Sequence, residues 1–173
     1  LGLIRYNPEN GRFRHFKHDR NDPNSLPKMS IWDLYRLSDG RIAIIPSTSA
    51  VGLILFDPEK GEYQQIKSKP GNPFSLATNT IQNVFEDRDG TLWVIHNNGK
   101  VDKSDPKGHR FDLFQHNPVN PKSLASNAPI PIFEDRHGTI WIGHFGAGLD
   151  RYNPVTKGFS HFIPDHNNPK PSH

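Results

Sequence analysis

Two stretches of this sequence hold residues that could carry acid–base chemistry, FEDRDGTLW at Phe85–Trp93 and FEDRHGTIW at Phe133–Trp141. Glu86, Asp87 and Asp89 in the first, and Glu134 and Asp135 in the second, offer the paired carboxylates that glycoside hydrolysis requires. The same groups could instead cap exposed backbone amides, because Asp beside Gly favours turns. Duplication decides for capping: a catalytic pair has no reason to recur at one position of a repeat, so no residue is assigned as catalytic. A calcium loop would need a Glu six residues after the glycine, and His96 and His144 stand there instead.

The ten histidines include no HxxxH or HxxEH arrangement, and GHFGAG lacks the Lys-Ser/Thr of a phosphate loop. Cysteine is absent, which removes disulfides, thiolate zinc sites and cysteine nucleophiles. Neither a metal nor a cofactor is therefore expected. Trp93 and Trp141 lie among apolar neighbours and read as core, wedged between layers. Trp32 precedes Gly40 at the distance that Gln82 precedes Gly90 and Ile130 precedes Gly138. Being out of pattern, it is expected to be exposed.

These residues sit in a repeat. GLIRYNPENGRF from Gly2, GLILFDPEKGEY from Gly52 and GLDRYNPVTKGF from Gly148 are related, and GKVDKSDPKGHRF from Gly99 is a worn copy. Their prolines, Pro8, Pro58, Pro106 and Pro154, fall at intervals of 50, 48 and 48. The glycines of SDGRIAII, RDGTLWVI and RHGTIWIG keep the same step, as do the NDPNSL, GNPFSL and NPKSL turns. Within one unit, Thr80–Asp87 is rich in strand formers, and Asp89-Gly90 signals a hairpin. Thr91–Ile95 is apolar on both sides and reads as a strand buried on both faces. Strands like Gly148–Tyr152 and Phe159–Ile163 complete the unit. Four short antiparallel strands in about 48 residues, repeated, is the pattern of a β-propeller blade.

The fold class is therefore all-β, a partial β-propeller of about three and a half blades. Residues 1–20 form a half-blade, 26–69, 76–117 and 124–165 form blades, and 166–173 form a tail. Propellers close with more blades than this, and an open arc leaves apolar faces and sheet edges bare. The expected partners are the remaining blades of a larger protein, or a second copy of the chain. The sequence begins Leu-Gly-Leu without Met and reads as a piece of something longer. No apolar run approaches the ~18 residues of a membrane span, and no signal peptide opens the chain. Net charge is only +3, and the basic residues are scattered among acidic ones. That argues against nucleic acid, which calls for a basic stripe.

The loops from the second to the third strand of each unit differ most: Pro46–Val51, His96–Asn98 and His144–Ala147. Divergent loops on a rigid scaffold are how binding surfaces are commonly built. The candidate ligand-binding residues are His96, Asn97, Asn98, His144 and Phe145, together with Trp32.

Asn127–Ser160 carries IFEDRHGTIWIG and then GAGLDRYNPVTKGF. With the recurring N-P-x-S-L turns, this resembles the two-component-regulator propeller repeat, and the resemblance runs in phase over essentially the whole chain. Two departures stand out. Ala43 replaces the tryptophan of the other units, and GKVDKSDP lacks the Leu, Arg and Tyr of the third strand. The hairpin is also similar in shape to the Asp-box of sialidase-type propellers, though its Asp and Gly are adjacent and the Ser is missing.

The resemblance implies a periplasmic or otherwise extracytoplasmic sensor region of a histidine-kinase or hybrid two-component system, with oligosaccharide ligands in some members. Any membrane anchor or output module would lie outside this sequence. The expectation is a non-enzymatic segment that recognises a small molecule or oligosaccharide. The alternative is a propeller hydrolase or lyase acting on polysaccharide, and a third class is a purely structural scaffold.

Overall fold

The computed structural model describes residues 2–105 and 110–163. Pro106, one of the prolines that mark the repeat, lies outside the described residues, as does the tail at 166–173. Strands β1 (Leu3–Asn7) and β2 (Arg12–Phe16) form a two-stranded sheet. Strands β3 (Ile31–Arg36), β4 (Ile42–Pro46), β5 (Leu53–Asp57) and β6 (Glu62–Ile66) form the first four-stranded blade. The second comprises β7 (Ile81–Glu86), β8 (Leu92–His96), β9 (Val101–Ser104) and β10 (Phe111–Phe114). The third comprises β11 (Pro129–Glu134), β12 (Ile140–His144), β13 (Gly148–Asn153) and β14 (Gly158–Phe162). Every pairing between these strands is antiparallel and sequential, so the architecture is a partial propeller of a half-blade and three blades. The described residues contain no helix, and hence none long and apolar enough to cross a membrane.

The core lies between blades, which explains the doubly apolar second strands. Side chains alternate across a strand. On β8, Leu92 and Val94 join a cluster with Ala43, Ile45 and Leu55 of the first blade. Trp93 and Ile95 join a different cluster with Ile140, Tyr152 and Phe159 of the third. Trp93 is fully buried, its ring edge-on to Tyr152 at 5.0 Å and stacked with Phe114 at 6.2 Å. Ala43 holds the same place in the first blade and keeps the same pairing, with Tyr35 on one side and Leu55 on the other. The missing tryptophan therefore leaves the sheet undistorted. A third cluster joins Ile44, Ile54 and Phe56 to Leu3 and Phe16 of the half-blade.

The backbones of neighbouring blades come closest through their first two strands, β3 and β4 against β7, and β7 and β8 against β11. The first strands therefore line the inner side of the arc. Each carries a break in register near its start, at Ile31/Asp33, Ile81/Asn83 and Pro129/Ile132. Such bulges re-aim the side chains beside them. The residues re-aimed are Trp32, Gln82 and the Ile130-Pro131 pair.

Candidate functional site

The aspartates of the two Glu-Asp-Arg turns, Asp87 and Asp135, are held by backbone amides. Asp87 Oδ1 accepts from the N–H of Asp89 (3.1 Å) and Thr91 (2.9 Å), closing the β7–β8 turn. Its Oδ2 accepts from Trp93 Nε1 at 3.0 Å, satisfying the one polar atom of a buried indole. Asp135 repeats this set with His137, Thr139 and Trp141 Nε1. The indole N–H bond and then the backbone amides favour the ionised form, and hold the Asp135 carboxyl down at about 2. The glutamates reach backward across the blade junction. Glu86 accepts from Ser38 N–H (2.6 Å) and Ser38 Oγ (3.0 Å), and Glu134 accepts from Arg88 N–H (2.9 Å). The E-D pair thus clamps two turns, its own and its neighbour's, in both copies.

His96 and His144, assigned to loops from the sequence, are instead the last residues of β8 and β12, and their side chains are buried. His96 Nε2 lies 2.8 Å from Asp102 Oδ2, and Nδ1 lies 3.1 Å from Thr78 Oγ1. An ionised carboxylate can only accept, so Nε2 carries the proton and Nδ1 accepts the threonine hydroxyl. His144 repeats this with Asp150 at 2.8 Å and Ser126 Oγ at 3.1 Å. In each copy the aspartate Oδ2 also accepts a backbone N–H from the incoming connection, that of Ala77 or Ala125.

The two copies differ at one atom. Asp150 Oδ1 is bonded to His161 Nδ1 at 2.6 Å, whereas Asp102 Oδ1 is buried without a hydrogen-bond partner among the described residues. The residue paired with Asp102 across β9–β10 is Leu113, in the place of His161. Burial pushes the Asp150 carboxyl up. The bonds from His144, His161 and Ala125 outweigh it and leave the group below the ordinary carboxylate range.

A serine or threonine, a histidine and an aspartate in hydrogen-bonded series invite comparison with a nucleophile–base–acid set. The series occurs twice, each time inside a blade, and Ser126 Oγ also accepts the Ala128 N–H while Thr78 Oγ1 accepts that of Thr80. These bonds anchor the connection entering each blade to the end of its second strand. Among the described residues no three or more His, Asp or Glu gather as metal ligands would.

The cleft that could receive a ligand lies at the junction of the first and second blades. It has a volume of about 510 Å³ and is lined by Trp32 on β3, Pro46 at the end of β4 and residues 47–49 after it, Thr80 just before β7, Ile81 and Gln82 at its start, and Asn97 after β8. Trp32 is 70% exposed at the β3 bulge, and Gln82 occupies the matching bulge of β7. The lining is hydroxyl and amide groups together with Trp32, Pro46 and Ile81, with no charged side chain. His96 supports this wall from behind: Thr78 Oγ1 bonds both His96 and Thr80 Oγ1 (3.0 Å), and Asn97 N–H donates to Thr80 O (3.2 Å).

Of the six residues expected at a site, Trp32 and Asn97 meet in this cleft. Asn98 is exposed in the same turn, where its Oδ1 accepts from Lys100 N–H at 3.4 Å, and Phe145 is 79% exposed on the next blade. Sequence reasoning missed Thr80 and Gln82 as lining residues; it pointed to the Pro46–Val51 loop as a divergent binding loop without naming Ser47, Thr48 or Ser49 individually. The alignment of Gln82 with Trp32 ahead of their turn glycines was the available signal.

No curated protein sequence matches the chain. Residues 75–98, which span the turn serine, β7, β8 and Asn97-Asn98, match the model of the two-component regulator propeller. That unit is a two-component regulator propeller repeat. Among solved structures, the fold matches a Bacteroides thetaiotaomicron protein, BT3049, described as the extracellular domain of a hybrid two-component system. The TM-score is 0.71 and the identity 21%, over 94% of this chain and 22% of that one. The chain thus spans under a quarter of that domain. The structure of YCF48 bound to D1 peptide matches with a TM-score of 0.57 and 14% identity, over 87% of this chain and 43% of that one. At these identities the likeness concerns the fold.

Proposed function

We propose that this chain is a ligand-recognition segment of an extracytoplasmic sensor propeller in a two-component signalling protein, and that it binds oligosaccharide in the cleft between its first two complete blades. The observation that carries the reading is the cleft itself. A re-aimed, exposed Trp32 faces uncharged hydroxyl and amide side chains in a pocket braced by buried hydrogen bonds. Sugar rings present C–H faces that stack on an indole and hydroxyls that pair with amides. The regulator-propeller match and the extracellular assignment of BT3049 support the cellular setting. Kinase or other output activity would belong to parts of the protein beyond this chain.

The engagement of Glu86, Asp87, Glu134 and Asp135 in turns and blade junctions weighs against a polysaccharide hydrolase or lyase. A glycan array run beside a reducing-sugar release assay tests the choice. Retention of glycans without release is the expected outcome. Release that Glu134→Gln abolishes would replace recognition by catalysis.

A further inference from the structure

The wall of the cleft is itself repeated around the arc. Ser47, Asn97 and Phe145 hold one place in their blades, each donating its N–H to the carbonyl of residue 30, 80 or 128, at 2.9, 3.2 and 2.9 Å. Trp32, Gln82 and Ile130 hold a second place, at the bulge of the first strand. Going round the inner face, the pairs read Trp32 with Ser47, Gln82 with Asn97, and Ile130 with Phe145. Two strongly exposed aromatic rings, at 70% and 79%, therefore flank an amide pair. None of these six residues is charged, and neither is any other residue lining the cleft.

We infer that this face is a track for an uncharged oligosaccharide that crosses both blade junctions, with Trp32 and Phe145 as its end platforms and Gln82 and Asn97 between them. The inference rests on the recognition reading and specifies its ligand. Charge is argued from the lining. A uronate or sulfate pressed against hydroxyls, amides and an indole would lose water without gaining a cation, and burying an unpaired charge is costly. Length is argued from the repeat. Trp32 and Phe145 belong to the first and third blades, so a ligand touching both must outreach one that only fills the cleft. The amide pair supplies both donors and acceptors, which suits hydroxyls that can do either.

The test uses the intact chain on a glycan array carrying neutral, uronate-bearing and sulfated chains from disaccharide to octasaccharide. Calorimetry of the parent, Trp32→Ala and Phe145→Ala then follows on the longest neutral binder and its disaccharide unit. Both side chains are largely exposed, so unchanged melting temperatures confirm folding. The expected result is binding confined to neutral chains. Trp32→Ala weakens both lengths about tenfold or more, and Phe145→Ala weakens only the long chain, by about tenfold. Binding confined to acidic chains, or a Phe145→Ala effect equal at both lengths or absent, overturns the inference while leaving recognition at Trp32 intact. If no glycan binds, if Trp32→Ala changes nothing, or if the cleft captures peptides instead, the recognition reading it rests on falls as well.

Discussion

The two buried histidine–aspartate pairs amount to a natural substitution experiment. Asp150 has His161 on its second oxygen and Asp102 has Leu113 opposite. Replacing His161 by Leu should destabilise the chain by about 1–3 kcal/mol, the cost of stranding a buried acceptor. Leu113→His should gain on the order of 1 kcal/mol by satisfying Asp102 Oδ1, since Leu113 is 43% exposed and gives up little packing. Urea unfolding of both variants checks the pair, and a loss at Leu113→His would mean that Asp102 is satisfied in another way. Asp135 carries a pH signature. Its carboxyl ionises lower when folded, near 2, than in the unfolded chain, near 4. Its contribution is therefore complete above the ordinary carboxylate range and is lost as pH falls from about 4 towards 2. Asp135→Asn should flatten that part of the acid-unfolding profile relative to the parent, and parallel profiles would remove the assignment. At this scale the sequence was only partly legible. His96 and His144 looked like loop ligands because they close their strands. The spacing from each to the aspartate that buries it, His96 to Asp102 and His144 to Asp150, is the same in both copies and was the readable sign of a paired structural role.

At the scale of elements, turn chemistry made the fold readable. Hairpin glycines at Gly40, Gly90 and Gly138, Pro-x-Ser-Leu connections and apolar second strands recur in phase, and the observed strands β7, β8, β13 and β14 fall within a residue or so of the stretches read as strands. The repeated serine of the connection accepts the N–H of Asp19, Lys69 or Asn117, which gives that motif its physical reason. The bulges were illegible, because a register break leaves no composition change, and with them went the part of the cleft lining at the start of β7, Thr80 to Gln82. The tightest element junction is testable. Gly99 has a φ of 79°, and a side-chain carbon there would run into the backbone of Asn127 in the connection to the third blade. Gly99→Ala should cost about 2–4 kcal/mol, combining left-handed strain with overpacking. Chemical denaturation would show it, and a change below about 0.5 kcal/mol, the range of ordinary surface substitutions, would mean the junction relaxes freely.

Across the whole molecule, the uncovered ends of the arc matter most. Trp93 is sealed by the third blade, but its counterpart Trp141 borders an apolar hollow of about 360 Å³ lined by Pro131, Phe133, Gly143 and Leu149. Phe133 is 62% exposed there, and Ile4, Tyr6 and Phe13 are exposed by more than half on the half-blade. Faces of this kind mark association surfaces. The chain alone should self-associate with rising concentration in sedimentation velocity, and Phe133→Lys with Leu149→Glu should suppress it; a well-folded monomer at high concentration would show that the exposed face needs no cover. The central claim, that the cleft at the first blade junction is where recognition happens, is tested most directly through its own tryptophan. Trp32 is 70% exposed, Trp141 half-buried and Trp93 fully buried, so acrylamide quenching of the intrinsic fluorescence reports mostly on Trp32, and Trp32→Phe gives the background from Trp141. A saturating glycan selected on the array should remove most of the quenchable component, and Trp32→Phe should lack that part from the start. Quenching that stays unchanged at saturation would place the ligand somewhere other than the cleft.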